Sequence, residues 1–481
     1  MTDERHRPRH HITVPNGWLN DPNGLSWHKG QFHVFHQYHA DKPDWGMIQW
    51  AHLTSPDLVH WTRQPVALSP SPGPDAGGCW SGCLVFDQGV PTAVYTGVEA
   101  LGPGSRTQTV CLARGDDALT TLRRDPASPV VAGAPPGLDP LQFRDPFVWR
   151  EAEGWAMVVG TGIPDQGGAV VLFRSNDLID WRYEGPIRQR GISEAEPLWT
   201  GRVWECPQLL KVGDRHILIF SVWDDQRLPR LNYAVAAIGT FDGRRFMPDS
   251  SQRFDHGGEC YAPAAFVAPD GRRLAWGWSW EGLSEPARLA QGWAGCLTFP
   301  RELSIGGDGR LAVAPARELV ALRGRGAAVE DVTLTAAVPR VDGPMRGDVV
   351  EIEARMEPGD AARVGLVVRA SPDGSESEKT LIAYDPRRQQ LEVNRDAASV
   401  AEGAAGGSHA GHLALAHGEP LDLHVYVDLS LLEVFANGRI AFTERIYPSR
   451  TDSTHVAAFV EGGSARLAWL RMWELPGTSI Q

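Results

Sequence analysis

The sequence SPDLVHW at residues 55–61 recurs as SNDLIDW at residues 175–181, 120 positions further along the chain. A weaker copy, DDALTTL at 116–122, lies halfway between them, and FDGRRF at 241–246 resembles a fourth copy. The repeat therefore has a period of about 60 residues. A fixed period of this kind is typical of architectures that repeat one supersecondary unit.

Between the copies, short runs of β-branched and aromatic residues alternate with Gly, Asp and Pro, which is the pattern of strands bounded by turns. Helical periodicity is almost absent over the first 300 residues. The runs expected to be the return strands of hairpins are Phe32–Tyr38, Thr92–Gly97, Trp155–Gly160, His216–Trp223 and Leu274–Ser279. Four strands per repeat over about 300 residues predict a five-bladed β-propeller. A large β-sandwich with chance repeats is the alternative.

The pattern changes after residues 301–303. Residues 313–325 are predicted to form a short linking helix, and residues 397–412, rich in Gly, Ala and Ser, a loop. Strand patterns continue from about residue 329, and Asn437-Gly438 between two apolar runs is a strong hairpin-turn signal. We predict an all-β chain: a five-bladed β-propeller (1–308), a linker (309–328) and a C-terminal β-sandwich (329–481).

Composition and charge exclude several classes of protein. With 42% apolar and 22% charged residues, the chain is neither disordered nor fibrous. A net charge of −13 disfavours nucleic acid as a partner. The sequence shows no secretory signal pattern and no apolar stretch long enough for a membrane helix, and its six cysteines form no CxxC pair. We therefore predict a cytoplasmic protein with reduced thiols, without zinc and without a membrane partner.

Five polar residues follow the period of the repeat. Asp21, Ser81, Asp145, Glu205 and Tyr261 are separated by 60, 64, 60 and 56 residues, and each precedes a predicted return strand by about ten residues. A propeller gathers the starts of its innermost strands at one end of its central channel. We therefore expect these five side chains to meet in one pocket.

Three carboxylates in one pocket are able to bind a hard metal or to perform acid/base and nucleophilic chemistry. Calcium sites usually draw on closely spaced Asp and Asn residues of one loop, whereas these acids come from three different repeats. Indole rings beside carboxylates suit a carbohydrate, and the Trp residues near the five positions are Trp18, Trp45, Trp80, Trp204 and Trp278. Glycoside hydrolysis needs two carboxyl groups that flank the scissile bond.

A metal site built from histidines is disfavoured. His33, His36 and His39 lie in one predicted strand, so their side chains point to both faces of the sheet. We predict no metal and no cofactor.

Three motifs lie at the periodic carboxylates: WLNDPNG at 18–24, FRDP at 143–146 and WECP at 204–207. They resemble the signatures of family 32 glycoside hydrolases, which include invertases, sucrose-6-phosphate hydrolases, inulinases and levanases. Further matches are Gln37, WG at 45–46, WAH at 50–52, WSG at 80–82, ECYAP at 259–263, WGW at 276–278, GWAG at 292–295 and PREL at 300–303. The resemblance covers the whole chain, because such enzymes carry a five-bladed propeller followed by a β-sandwich.

The resemblance implies a role for each periodic carboxylate. Asp21 would be the nucleophile, Glu205 the general acid/base, and Asp145 the group that holds fructosyl hydroxyls and stabilises the transition state. The implied mechanism is retaining, which requires the carboxyl groups of Asp21 and Glu205 to be about 5–5.5 Å apart. The residues expected to bind substrate are Trp18, Asn20, Gln37, Trp45, Trp80, Ser81, Arg144, Tyr261 and Trp278. Arg144 has an alternative role, which is to pair with Asp145 and keep it ionised.

Leu19, Cys83 and Glu259 depart from the family pattern, which leaves the leaving-group preference open. The expected activity is that of a metal-independent β-fructofuranosidase acting on sucrose or short fructo-oligosaccharides. The alternatives are a fructosyltransferase, a sucrose-6-phosphate hydrolase, an inverting arabinanase or xylosidase, and a non-catalytic fructan-binding protein. The second domain is expected to buttress the first or to form a dimer contact, so the protein would be a monomer or a homo-oligomer.

Overall fold

The computed structural model describes residues 4–102, 105–224, 226, 231–372 and 377–480. In the first half of the chain, each strand of a sheet pairs antiparallel with the strand before it. The first sheet contains β1 (Gly17–His28), β2 (Gln31–His39), β3 (Gln49–Ser55) and β4 (Thr62–Leu68). The second contains β5 (Gly78–Asp87), β6 (Val90–Gly102), β7 (Ser105–Gly115) and β8 (Leu122–Arg124). The third and fourth contain β9 (Phe143–Glu151), β10 (Gly154–Ile163), β11 (Gly167–Ser175), β12 (Arg182–Gln189), β13 (Val203–Val212), β14 (Arg215–Trp223), β15 (Leu231–Phe241) and β16 (Phe246–Arg253).

A fifth sheet is completed by residues further along the chain. Its first two strands are β17 (Tyr261–Val267) and β18 (Arg273–Ser279), which are followed by helix α1 (Glu285–Gln291). The chain then forms β19 (Trp293–Ala294), β20 (Cys296–Leu297), β21 (Arg301–Ile305) and β22 (Leu311–Pro315). Because β19 pairs with β1 while β20 and β21 pair with β18, this segment ties the fifth sheet to the first.

The first strands of the five sheets in the described residues lie side by side. Strand β1 contacts β5, β5 contacts β9, β9 contacts β13, β13 contacts β17, and β17 contacts β1. The five predicted return strands lie within β2, β6, β10, β14 and β18, the second strands of these sheets. This arrangement is consistent with the predicted propeller.

The repeated sequence forms the turn between the third and fourth strands of four sheets. Its Leu is buried and has a positive φ in three copies, at Leu58, Leu119 and Leu178 (66°, 58° and 67°). The Asp of each copy accepts backbone N–H groups of its own turn: Asp57, Asp116, Asp177 and Asp242. An Asp that accepts from its own turn is a turn-forming residue. The segment that sets the period is therefore structural.

The second half contains two six-stranded antiparallel sheets within the described residues. One contains β23 (Gly326–Thr335), β25 (Val349–Glu357), β30 (Leu421–Asp428), β31 (Leu431–Ala436), β32 (Ile440–Arg445) and β34 (Ser464–Glu474). The other contains β24 (Arg340–Asp342), β26 (Arg363–Ala370), β27 (Thr380–Asp385), β28 (Gln390–Asn394), β29 (Ser408–His412) and β33 (His455–Glu461). Buried side chains of both sheets, such as Ile352 and Leu366, form one apolar core. This packing is consistent with the predicted sandwich.

Two local predictions are wrong in detail. The helix expected over residues 313–325 is a 3₁₀ helix at Arg317–Leu322, and its buried Leu319 and Leu322 have the spacing of a three-residue turn. The preceding residues, which we assigned to the linker, form β22 and pair with β21. The loop expected over residues 397–412 ends in β29, because its last five residues pair with β28.

A group of buried charged residues joins the two halves. We call His11, Asp255, Arg301, Asp428 and Glu433 the interface cluster. Arg301 binds Asp255 and Glu433, with N–O distances of 2.6 and 2.5 Å. His11 binds Asp428 and Glu433 at 2.8 and 3.0 Å. Since each carboxylate of the cluster contacts a cationic or ionisable donor, the negative charges are locally compensated.

Among the described residues, no helix combines the length and apolar character that a membrane crossing would need.

Candidate active site

The five periodic residues lie in the first strands of their sheets, each at a β-bulge. In every one of these strands the pairing with the second strand shifts register by one residue, around Asp21, Ser81 and Asp145 and directly after Glu205 and Tyr261. A bulge inserts an extra residue into one strand and changes the direction of a side chain. The backbone φ is positive at Asp145 and at the residues that follow Glu205 and Tyr261 (66°, 49° and 47°). The bulges thus turn the five positions toward one end of the bundle of first strands.

The structure brings the predicted site residues together around one cavity. This cavity has a volume of about 440 Å³, and four of the five periodic residues line it. Ser81 is the exception. It lies behind the lining and donates a hydrogen bond to Asp21, which does line the cavity. The predicted substrate-binding residues that line the cavity are Trp18, Asn20, Gln37, Trp45, Trp80, Arg144, Tyr261 and Trp278. Trp204 lies outside this lining, because it is buried and stacks on Phe220.

Hydrogen bonds fix the carboxylate of Asp21. Ser81 Oγ donates to Asp21 Oδ2 at 2.6 Å, and Gln37 Nε2 donates to the same oxygen at 3.3 Å. Asn20 Nδ2 donates to Asp21 Oδ1 at 3.2 Å and to Gln37 Oε1 at 2.8 Å. Trp18 Nε1 in turn donates to Asn20 Oδ1 at 2.9 Å. The predicted binding residues of the first sheet therefore also hold Asp21 in place.

Glu205 is held by a cation and a phenol. Arg144 Nε donates to Glu205 Oε1 at 2.9 Å, and Tyr261 OH donates to Oε2 at 2.6 Å. Arg144 also donates to the side-chain oxygens of Gln108 and Gln142. Its Nε lies 4.0 Å from Asp145 Oδ2, so the contact with Glu205 is the closer one.

Asp145 connects two sheets. Its backbone N–H donates to Thr96 Oγ1 of the second sheet at 2.8 Å, and Asp145 Oδ2 accepts the backbone N–H of Cys206 at 2.9 Å. The Cys206 thiol also lies 3.6 Å from Asp21 Oδ2. Because Cys206 directly follows Glu205, these contacts bring all three carboxylates into one cluster.

We call Asp21, Arg144, Asp145 and Glu205 the site cluster. Burial and the charge of Glu205 together raise the pKa of Asp21 to about 6, although the hydrogen bond from Ser81 opposes this. Burial also raises the pKa of Asp145 to about 7, although the charge of Arg144 opposes this. Three carboxylates share one tightly bound guanidinium, so negative charge in this cluster is under-compensated. Perturbed carboxyl groups in a cleft are typical of catalytic sites.

Two residues of the cavity lining were missed by the sequence prediction. Arg106 lies on β7 and stacks on Trp80 and Trp45, with distances of 4.6 and 5.9 Å from its guanidinium carbon to the ring centroids. It falls on a third strand, where the periodic spacing gives no signal. Trp223 ends β14, and Arg144 lies 5.4 Å from its ring. Trp223 was the last residue of a predicted return strand, so hairpin pairing with residues 203–205 could have identified it.

The three residues that differ from the family pattern do not line this cavity. Leu19 is fully buried in the core around the first sheet. Glu259 accepts two hydrogen bonds from Arg395 of the second half, at 2.9 and 2.8 Å. Cys83 lines a different cavity, at the other end of the first strands.

Histidine and carboxylate groups elsewhere are already bonded to protein atoms. Nδ1 of His33 contacts His52, and Nδ1 of His36 contacts a backbone carbonyl. Nδ1 of His39 contacts the backbone carbonyl of Asp44. Within the described ranges, the group with metal-like spacing is Glu351, Glu353 and His424, and Arg323 binds both of its carboxylates.

Family models match almost the entire chain. Residues 11–315 match the model described as glycosyl hydrolases family 32 N-terminal domain. Residues 318–474 match the model described as glycosyl hydrolases family 32 C terminal. The break between the two matches lies between β22 and the 3₁₀ helix.

Similar proteins are known in sequence and in structure. The chain is 31% identical to sucrose-6-phosphate hydrolase of Escherichia coli, over 97% of this chain and 94% of that protein. It is 32% identical to raffinose invertase of Escherichia coli, over 97% of this chain and 95% of that protein. The crystal structure of fructan 1-exohydrolase IIa from Cichorium intybus superposes with a TM-score of 0.87 and 23% identity, over 100% of this chain and 99% of that one. This last likeness concerns the fold.

Proposed function

Since the chain belongs to glycosyl hydrolase family 32, we propose that it is a retaining β-fructofuranosidase that hydrolyses the terminal fructosyl linkage of sucrose or short fructo-oligosaccharides. The observation that carries this proposal is the site cluster. Asp21 and Glu205 line one cavity but have different neighbours, since Asp21 accepts from neutral donors and Glu205 accepts from Arg144 and Tyr261. Two carboxyl groups in different surroundings are able to take different roles.

In the first step, an oxygen of Asp21 forms a bond to the anomeric carbon of the fructosyl unit. The glycosidic bond breaks as protonated Glu205 transfers its proton to the departing oxygen. In the second step, Glu205 takes a proton from water, the water oxygen attacks the anomeric carbon, and the ester to Asp21 breaks. Both carboxyl groups then return to their starting states.

The neighbouring residues support these roles. Hydrogen bonds from Ser81, Gln37 and Asn20 hold the Asp21 carboxylate in one orientation. Asp145, whose Oδ2 is fixed by the Cys206 N–H, keeps Oδ1 for fructosyl hydroxyls. Burial raises the pKa of the Cys206 thiol well above its usual value, so the thiol stays neutral beside the nucleophile.

The proposal includes the architecture and the location. The five sheets are the blades of a closed five-bladed propeller that extends to β22, and the 3₁₀ helix connects it to a β-sandwich that begins with β23. The enzyme acts in the cytoplasm, where its six unpaired cysteines stay reduced. The enzyme binds a small sugar as its substrate. The interface cluster supports a role in which the second domain stabilises the first.

Arg106 favours a second candidate, sucrose 6-phosphate. The guanidinium lies in the cavity lining against two indoles, and among the described residues it forms no ion pair. A guanidinium without a carboxylate partner is suited to a phosphate group. The matched relative from Escherichia coli is named for hydrolysis of this substrate.

The first experiment is a product profile with sucrose, 1-kestose, inulin and levan for the wild type, Asp21→Ala and Glu205→Ala. We expect both variants to lose sucrose turnover by at least about 10³-fold, because each removes a group that reacts. Glu205→Ala should keep more activity on a fructoside whose leaving group needs no proton. NMR of the first-formed anomer checks retention.

Several outcomes of this profile would contradict the proposal. Undiminished sucrose cleavage by Asp21→Ala rules out its role as nucleophile. Inverted product indicates an inverting glycosidase, and longer fructo-oligosaccharides at high sucrose indicate a fructosyltransferase. Binding without turnover in the wild type indicates a fructan-binding protein.

The second experiment compares kcat/KM for sucrose 6-phosphate and sucrose in the wild type and in Arg106→Gln. If Arg106 binds the phosphate, the variant should lose at least about tenfold on the phosphorylated substrate and little on sucrose, since one charge-assisted hydrogen bond is worth about 1.5–3 kcal/mol. Arg106→Lys, which keeps the charge, should recover part of the loss. An equal loss on both substrates would assign Arg106 to general sugar binding.

A further inference from the structure

A second cavity lies at the opposite end of the five first strands. Its volume is about 680 Å³, and its lining begins where the residues of the candidate active site end. Gly82 directly follows Ser81, and Gln208 and Ala264 each lie three positions after a periodic residue. The two cavities are therefore built on the same strands but on opposite sides of the bulges.

The body of this cavity is apolar. The aromatic rings of Phe147, Trp149, Phe241 and Phe266 line it, together with leucine side chains of the first strands. The amide of Gln208 is engaged, because it donates to the carbonyl of Pro207 and accepts the backbone N–H of Ala265. Few groups are left to bind sugar hydroxyls, so the lining suits an apolar molecule.

The rim of this cavity is basic. Arg150, Lys211, His216 and Arg273 contribute to the lining. Among the residues that the structure describes, no Asp or Glu lines this cavity. Within the described ranges none of Arg150, Lys211 and Arg273 forms an ion pair, and the guanidinium carbon of Arg150 lies 4.8 Å from the ring centroid of Trp155. Arg273 is anchored to the backbone carbonyls of Lys211 and Gly271. In a chain with a net charge of −13, this is a local concentration of uncompensated positive charge.

We propose that this second cavity is a binding site for an amphipathic organic anion, a small molecule with an apolar body and one carboxylate, sulfonate or phosphate group. The apolar body fills the space between the aromatic rings. The anionic group lies at the rim, where it contacts Arg150, Lys211 and Arg273. This site is distinct from the proposed fructosyl site and does not depend on the identity of the sugar.

The experiment is a fluorescence titration of the full-length protein with 8-anilinonaphthalene-1-sulfonate, an aromatic sulfonate. We expect saturable binding that weakens at high salt and that fructose does not displace. The double variant Arg150→Glu/Lys211→Glu should raise the Kd at least tenfold, because two attractive charges become repulsive. N-phenyl-1-naphthylamine, a neutral analogue, should be insensitive to the same change.

The matched control is Arg123→Glu, an exposed charge reversal on β8 outside the cavity, which should leave the Kd unchanged. Thermal melting and sucrose turnover report whether each variant is folded. As a further variant, Val267→Glu places a carboxylate at a half-exposed position of the rim without removing a cation, and it should also weaken binding. Three outcomes would overturn the proposal. They are an equal Kd for the double variant and the control, displacement of the probe by fructose, and the lack of saturable binding.

Discussion

The site cluster and the interface cluster each contain three carboxylates, but their burial and charge balance differ. Those of the interface cluster are all buried, whereas Asp21 and Glu205 of the site cluster are partly exposed to the cavity. In the interface cluster, Arg301 and His11 bind the carboxylates on both sides. In the site cluster, Arg144 is the one cation that binds a carboxylate directly, among the residues that the structure describes. The pKa values move in opposite directions as a result. Hydrogen bonding to His11 lowers the pKa of Asp428 to about 2 despite its burial, whereas burial raises that of Asp21 to about 6.

This difference separates a structural charge cluster from a reactive one. In a compensated cluster the attraction between the partners offsets the cost of burying them, and removal of one partner leaves an unpaired charge that destabilises the folded state. Under-compensated carboxylates cost folding free energy but keep groups that are able to exchange protons near neutral pH. The following experiments test this contrast, beginning with the one that has the largest expected effect.

Replacing Arg301 should produce the largest loss of stability. Arg301→Met leaves Asp255 and Glu433 buried without their shared cation, and we expect the free energy of unfolding to fall by about 3–5 kcal/mol. Chemical denaturation at pH 7 measures this change. Where the variant is still folded, kcat for sucrose should stay close to that of the wild type, because Arg301 lies outside the cavity.

Arg317→Met is the matched control, since Arg317 is largely exposed and pairs with Asp270 at the surface. Its effect should stay within about 0.5 kcal/mol. A similar loss of stability in both variants would contradict the distinction between buried and exposed ion pairs.

The pH dependence of activity tests the site cluster. Asp21 must be ionised to attack, so kcat/KM should fall about tenfold per pH unit below its pKa of about 6. Initial rates with sucrose between pH 4 and 8 measure this limb, and thermal melting at each pH confirms that the protein is folded. A flat profile down to pH 4.5 would show that the nucleophile has an ordinary pKa.

Removing the charge of Asp21 should slightly increase the stability of the protein, whereas replacing Arg301 should decrease it. The pKa of Asp21 is higher in the folded state than its usual value of 3.8, so ionisation destabilises the fold as the pH rises through about 6. We expect Asp21→Asn to raise the free energy of unfolding by about 1 kcal/mol at pH 8 and to leave it unchanged at pH 4.

Asp428→Asn is the counterpart in the interface cluster. The pKa of Asp428 is lowered, so its contribution is present above about pH 4 and disappears as the pH falls toward 2. This variant should therefore lose stability at pH 8. The contrast between the clusters fails if the two variants change stability in the same direction at that pH.

The features that recur with the repeat period were the ones that could be predicted from the sequence. The spacing of Asp21, Ser81, Asp145, Glu205 and Tyr261 located the starts of five first strands, because each sheet uses the same bulge. Arg106 escaped prediction, since it lies on β7, the third strand of its sheet, where the periodic spacing gives no signal. The apolar spacing of Leu319 and Leu322 indicated a helix, but spacing alone does not distinguish an α-helix from a short 3₁₀ helix.

The contacts between the two halves of the chain could not be predicted from sequence patterns. Glu433 and Arg301 are 132 residues apart, and neither belongs to a local motif that names its partner. Glu259 illustrates the same limit. Its departure from the family pattern left the leaving-group preference open, and no sequence pattern indicated that its carboxylate binds Arg395 of the second half.

The five bulges have a consequence for engineering. Because Asp21 and Glu205 are only partly buried while Ser81, Asp145 and Tyr261 are buried, a mutagenesis library restricted to residues 21 and 205 should consist mostly of folded members. New specificities could then be selected from such a library without first adding stabilising mutations elsewhere. The strands beneath the bulges would serve as a constant scaffold, much as a framework does beneath variable loops.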